Sequence, residues 1–104
     1  MRDYNAEAQD VLDFLNYLTK RRYRNTIYIV ARLKDGASVD DCRKVIWAKG
    51  YDDYFRENPK YLNPITLFRK LHWDNYYNES LEEEYAKEYT KCLPDILKRI
   101  EENK

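Results

Sequence analysis

Lys60–Glu79 reads KYLNPITLFRKLHWDNYYNE. It carries Tyr61, Phe68, His72, Trp73, Tyr76 and Tyr77 and contains no glycine. Such a stretch fits three roles: a packed helix, a platform on which bases stack, or a surface that grips another protein. Its local signal is Asn63–Pro64. Asn63 is a capping residue, and Pro64 suits the first helical position, where its missing N–H would have no partner anyway. The spacing predicts one helix over Pro64–Tyr77. Ile65, Phe68, Leu71 or His72, and Asn75 or Tyr76 share one side, and Leu67 widens it.

Helical signals continue on both sides of this stretch. Downstream, Ser80 and Glu83 have capping-box spacing, which predicts an acidic helix over Ser80–Lys104. Tyr85, Tyr89, Cys92, Leu93, Ile96 and Ile100 form its apolar stripe, and Pro94 is expected to kink it. Upstream, Ala8, Val11, Leu12, Leu15 and Leu18 mark a helix over Ala6–Lys20, with Asn5 as its N-cap. A second helix is expected over Thr26–Lys34, facing inward through Ile27, Val30 and Ala31, with Ile29 and Leu33 as a further apolar edge; TIYIV alone also fits a strand, being β-branched and alternating, and helix is favoured. Gly36 can end it in the left-handed conformation. A third starts near Ser38, with Asp40 and Asp41 at its positive end and Val39, Cys42, Val45 and Ile46 buried. Gly50 is expected to end or bend it. The segment YDDYFRENPK then forms a turn or frayed helix.

The reading is therefore all-α: a compact bundle of about five helices in one domain, the last a Pro-kinked amphipathic extension. The chain has 104 residues, 37% of them charged, and only two glycines, which leaves little turn chemistry for a sheet. No apolar run approaches the length of a membrane span, and the N-terminus MRDYNAEAQD has no signal-peptide character. Cys42 and Cys92 each fall on an apolar stripe and read as reduced core residues of a cytoplasmic protein.

Chemistry-bearing patterns are sparse. His72 is the single histidine and has no acid at helical spacing. The cysteines lack metal-ligand spacing, and Gly36 and Gly50 stand apart rather than forming a phosphate loop. No catalytic residue, cofactor or metal is assigned, and an enzyme is not expected. Recognition is what remains. Lys20–Lys34 holds Lys20, Arg21, Arg22, Arg24, Arg32 and Lys34 and no acid, whereas Asp74–Glu88 holds six acids and one base. Nineteen basic and nineteen acidic residues balance, which favours the two patches pairing with each other, within one molecule or across a dimer, over a dedicated nucleic-acid binder. Eleven tyrosines exceed what so small a core needs. The surplus suits a protein interface, where tyrosine and tryptophan supply rigid contact area.

Three segments in order carry a resemblance: VLDFLNYLTKRRYRNT, ARLKDGASVDDCRKVIWAKGYDDYF and KYLNPITLFRKLHWDNYYNE. Together they resemble the C-terminal domain of phage replication-initiation proteins (replisome organisers), a DnaD-like helical module, over about Val11–Asn78. The chain departs from that pattern at Lys20–Arg21–Arg22, at Cys42, at Leu71–His72–Trp73 and in the extra acidic helix after Asn78. In the family the module follows an origin-binding head, whereas this chain begins with the module at Met1. A module without that head is expected to occupy the helicase-loading machinery rather than deliver it.

The resemblance thus implies a small phage protein that acts in the bacterial cytoplasm. Its expected partner is the helicase loader, an AAA+ ATPase, or the replicative helicase, with inhibition as the consequence. Candidate contacts are Tyr61, Phe68, Trp73, Tyr76 and Tyr77, with Arg21, Arg22 and Arg24 as a charged rim. Two alternatives stand beside this reading. One is a single-stranded DNA-binding module using the same rings and the basic stretch. The other is a structural homodimer that pairs through the last helix.

Overall fold

The computed structural model describes residues 2–103. Every regular element among them is helical. The first helix, α1, spans Tyr4–Thr19. It starts earlier than expected because Asp3, not Asn5, caps it: the Asp3 side chain accepts from the Ala6 N–H at 3.1 Å. A carboxylate there satisfies a free donor and suits the positive end of the helix. Ala8, Val11, Leu12, Phe14 and Leu15 form its buried stripe, as the three- and four-residue spacing requires. Lys20 ends the helix in the left-handed region, at φ 58°, with its N–H on the Asn16 carbonyl.

The second helix, α2, spans Ile27–Lys34. Its inward face is not the one expected from Ile27. Ile29, Arg32 and Leu33 are buried, and Ile27 is 73% exposed. The further apolar edge, Ile29 and Leu33, is the one that enters the core. Helix α3, Val39–Tyr51, opens with a full capping box: Asp41 N–H to Ser38 Oγ at 3.0 Å, and Ser38 N–H to Asp41 Oδ2 at 2.9 Å. It runs through Gly50 and ends at Asp52, which caps the short helix α4, Asp53–Glu57. A 3-10 turn over Pro59–Tyr61 follows.

The decisive stretch then departs from the single expected helix. Asn63 and Pro64 start a helix as predicted, with the Thr66 N–H on Asn63 Oδ1 at 2.8 Å. This helix, α5, stops at Phe68, and α6 resumes over Lys70–Ser80. Arg69 between them is extended, at φ −64° and ψ 133°. The expected capping box at Ser80 is likewise unused. Ser80 is the last residue of α6, buried, and its hydroxyl donates to the Tyr77 carbonyl. The last helix, α7, spans Glu83–Glu102 and is continuous through Pro94. Lys104, placed in that helix from the sequence, lies outside the described residues, as does Met1.

Helices α1 and α3 form the centre. Helix α1 packs on α2, α3 and α7, helix α3 packs on α6 and α7, and α5 bridges α2 to α6. One core joins them through Phe14, Leu33, Ile46, Leu67 and Phe68. Helix α7 closes it: Tyr89 meets the edges of Phe14 and Trp47, and its hydroxyl donates to the Asp40 carboxylate. The radius of gyration, 12.7 Å, is that of one packed unit of this length.

Candidate functional site

The break at Arg69 sets the register of α6 and therefore where its rings lie. Trp73 stacks on both Phe68 (5.8 Å, 27°) and Tyr77 (5.9 Å, 18°). On the other flank of α6, Tyr76 stacks on His72 (5.4 Å, 18°) and meets the edge of Phe55. The Lys49 ammonium sits 4.3 Å from the Tyr76 ring centre. Tyr61 stacks almost parallel on Tyr54, at 5.9 Å and 9°, with the Lys60 ammonium 5.1 Å from its ring. The flat faces of these rings already carry contacts from this chain.

The expected contact residues consequently split. Tyr61 and Tyr76 belong to a flank shared with Tyr54 and Phe55, and both are half-buried. Trp73 and Tyr77 border a separate cleft of about 590 Å³, walled also by Arg32, Asp35, Asp41 and Lys70. Phe68 is a core residue with no exposed surface, so it is unfit as a surface contact. Its ring lies in the angle between α5 and α6, under Trp73. Burial, then the charge and hydrogen bond of Asp41, raise the Tyr77 phenol above its ordinary value. Burial, then Glu79 and Asp52, do the same for Tyr76. Both rings stay neutral donors near neutral pH.

Arg21, Arg22 and Arg24 are exposed on the loop between α1 and α2. Asn16 holds that loop. Its Nδ2 donates to the Tyr23 carbonyl at 3.0 Å, and its Oδ1 accepts from the Tyr23 N–H at 2.9 Å. None of Lys20, Arg21, Arg22, Arg24 and Lys34 forms an ion pair with a described residue. The expected pairing of the basic stretch with the acidic one inside the chain therefore does not occur. The acids of Asp74–Glu88 instead hold Lys49, through Glu79, and Lys87, through Glu83.

Two buried cations escaped the sequence reading. Arg32 donates from Nη1 to the Phe68 carbonyl at 3.2 Å and pairs with Asp35 at 3.2 Å. Lys49 is 4% exposed, with Glu79, Asp52 and the rings of Phe55 and Tyr76 around it. Spacing could have found both. Arg32 is three residues from Ile29, and Lys49 is three from Ile46 and seven from Cys42, on the stripes that face inward. Cys42 is buried, and burial followed by the nearby Asp41 pushes its thiol up to about 12. Among the described residues no group of three or more histidine, cysteine or acidic side chains is placed to hold a metal ion. No helix among them is long and apolar enough to cross a membrane.

Residues 11–78 match the family model described as Conserved phage C-terminus (Phg_2220_C). The chain belongs to this family. Nothing among curated proteins or solved structures matches it. The matched span of the phage C-terminus family runs from the middle of α1 nearly to the end of α6. It includes the basic loop and every ring of the decisive stretch.

Proposed function

We propose that this member of the phage C-terminus family is a non-enzymatic protein that binds the host's helicase-loading machinery and inhibits replication initiation. Its first partner in this reading is the helicase loader, an AAA+ ATPase, and the replicative helicase is the second. The observation that carries protein binding is the state of the rings. Trp73 stacks on Phe68 and Tyr77, Tyr76 stacks on His72 and lies against the Lys49 ammonium, and Tyr61 stacks on Tyr54, so part of each ring is already in contact within the chain, while the two tyrosines add hydroxyls. That suits contact with side chains and backbone better than stacking with bases. The resemblance to replisome-organiser C-terminal domains supports the choice of the loading step.

The test is affinity capture of the tagged protein from a lysate of the bacterial host, with nuclease present. Loader or helicase should be recovered, and the purified pair should show altered loader ATPase activity. Failure of both proteins to bind would refute the reading. The unpaired cations of the α1–α2 loop favour single-stranded DNA binding as the second reading. It requires affinity that falls steeply with salt, and salt-independent binding would remove it.

A further inference from the structure

Two acid-free stretches, residues 20–34 and 59–73, lie far apart in sequence. The packing of α2 on α5 brings them together. Between them lies a cleft of about 400 Å³, bordered by Tyr23, Arg24, Lys60, Asn63 and Ile65. This is the low end of the size range for ligand pockets, enough for one side chain with its flanking backbone.

The chemistry of the cleft is lopsided. No carboxylate lines it. Arg24 and Lys60 are exposed, and neither pairs with a described acid. The Asn63 side chain is held in place: its oxygen accepts from the Thr66 N–H and its Nδ2 donates to the Lys60 carbonyl. A visitor meets apolar surface from Tyr23 and Ile65, with Asn25 and Thr66 beside it and the Arg24 and Lys60 cations, neither in an ion pair with a described residue, at the rim. Ile65 is 39% exposed there.

We propose that this cleft docks an acidic segment of a partner protein. The segment sets one aliphatic or aromatic side chain against Tyr23 and Ile65 and its carboxylates against Arg24 and Lys60. Charge complementarity selects the acidic character, and the apolar wall selects the anchor. Two cations line the cleft, fewer than a phosphate backbone engages, so a short acidic peptide is the better match to the cleft itself, and the oligo-dT comparator below tests the other. The inference rests on the reading above that the module grips a protein, and it names the place and chemistry of that grip.

The probe is a fluorescent glutamate-rich peptide with one central phenylalanine, titrated against the purified protein by anisotropy. The same peptide with central serine and an oligo-dT strand serve as comparators. Arg24→Glu with Lys60→Glu should weaken peptide binding at least about tenfold, as should Ile65→Ser. Leu71→Ser, an exposed aliphatic on α6 outside the cleft, should leave it unchanged. Urea midpoints confirm that each variant is folded. Equal binding by all variants, equal binding of the serine peptide, or tighter binding of oligo-dT than of the peptide would overturn the proposal. So would loss of peptide binding to a self-association that the charge reversals abolish. The same variants separate this inference from the proposed function. Loader capture unaffected by Arg24→Glu with Lys60→Glu sinks the cleft and leaves the function standing. Peptide binding in the cleft without capture of loader or helicase does the reverse.

Discussion

Replacing Arg32 with methionine keeps most of the unbranched stem and deletes the guanidinium. The deleted group does one thing no neighbour can do. The α5–α6 break leaves the Phe68 carbonyl without a helical partner, because the N–H groups of both His72 and Trp73 turn to the Arg69 carbonyl. Arg32 Nη1 takes the orphaned oxygen at 3.2 Å, in a buried setting. A buried acceptor left unpaired costs roughly 1–3 kcal/mol. The ion pair with Asp35 adds little, because Asp35 is about half exposed and returns to water when released. Burying a methionine in place of a cation returns some desolvation energy. The net expectation is a loss of about 2 kcal/mol, or roughly 8–16 °C in Tm for a domain this size. Urea unfolding followed by circular dichroism measures it, with an unchanged slope as the two-state check. Arg32→Lys should fall between, since one ammonium cannot serve the carbonyl and the carboxylate as the guanidinium fork does. An Arg32→Met protein within about 0.5 kcal/mol of the parent would refute the role given to this side chain.

Glu79→Ala should destabilise more than Lys49→Met. The first strands a buried ammonium beside Asp52 at 4.0 Å, whereas the second fills the same volume with apolar atoms, and paired denaturation curves compare them. Asn16→Ala removes both hydrogen bonds that hold Tyr23 and should cost about 1–2 kcal/mol, with faster amide exchange across residues 20–25 as the local sign. Stability should fall in alkali. The Cys42 thiol ionises near its ordinary value of 9.0 in the unfolded chain and at about 12 in the fold, so its contribution is full below about pH 9 and is lost as pH rises toward 12. Burial and the Asp40 hydrogen bond raise the Tyr89 phenol in the same direction. Urea midpoints at neutral and alkaline pH test this, and Cys42→Ala should flatten part of the slope.

Local rules carried much of the fold. The stripes of α1, α3 and α7, the Ser38 cap and the Asn63–Pro64 start are set by residues a turn or less apart, and the structure holds each of them. What escaped was non-local. Helical periodicity runs straight through Arg69, and the side chain that meets the break comes from Arg32, 36 residues before Phe68. That one break puts Leu71 on the outside, 76% exposed, and Phe68 fully inside. Ser80 and Glu83 had capping-box spacing, yet α6 runs on to consume the serine. The site shows the same division. The basic loop was legible as charge. Its lack of acidic partners depends on where the acids fold, as does the cleft formed with Lys60 and Ile65.

The shared unit and the folded unit do not have the same edge. The family match stops at residue 78, inside α6, whereas the core is complete only where Tyr89 and Ile96 of α7 lie over it. A fragment trimmed to the matched span would leave the rings of Phe14 and Trp47 facing water where Tyr89 now covers them. Work on this protein should therefore keep α7 attached. A truncation at the family boundary would examine a sticky, half-closed object, and its promiscuity could be mistaken for recognition.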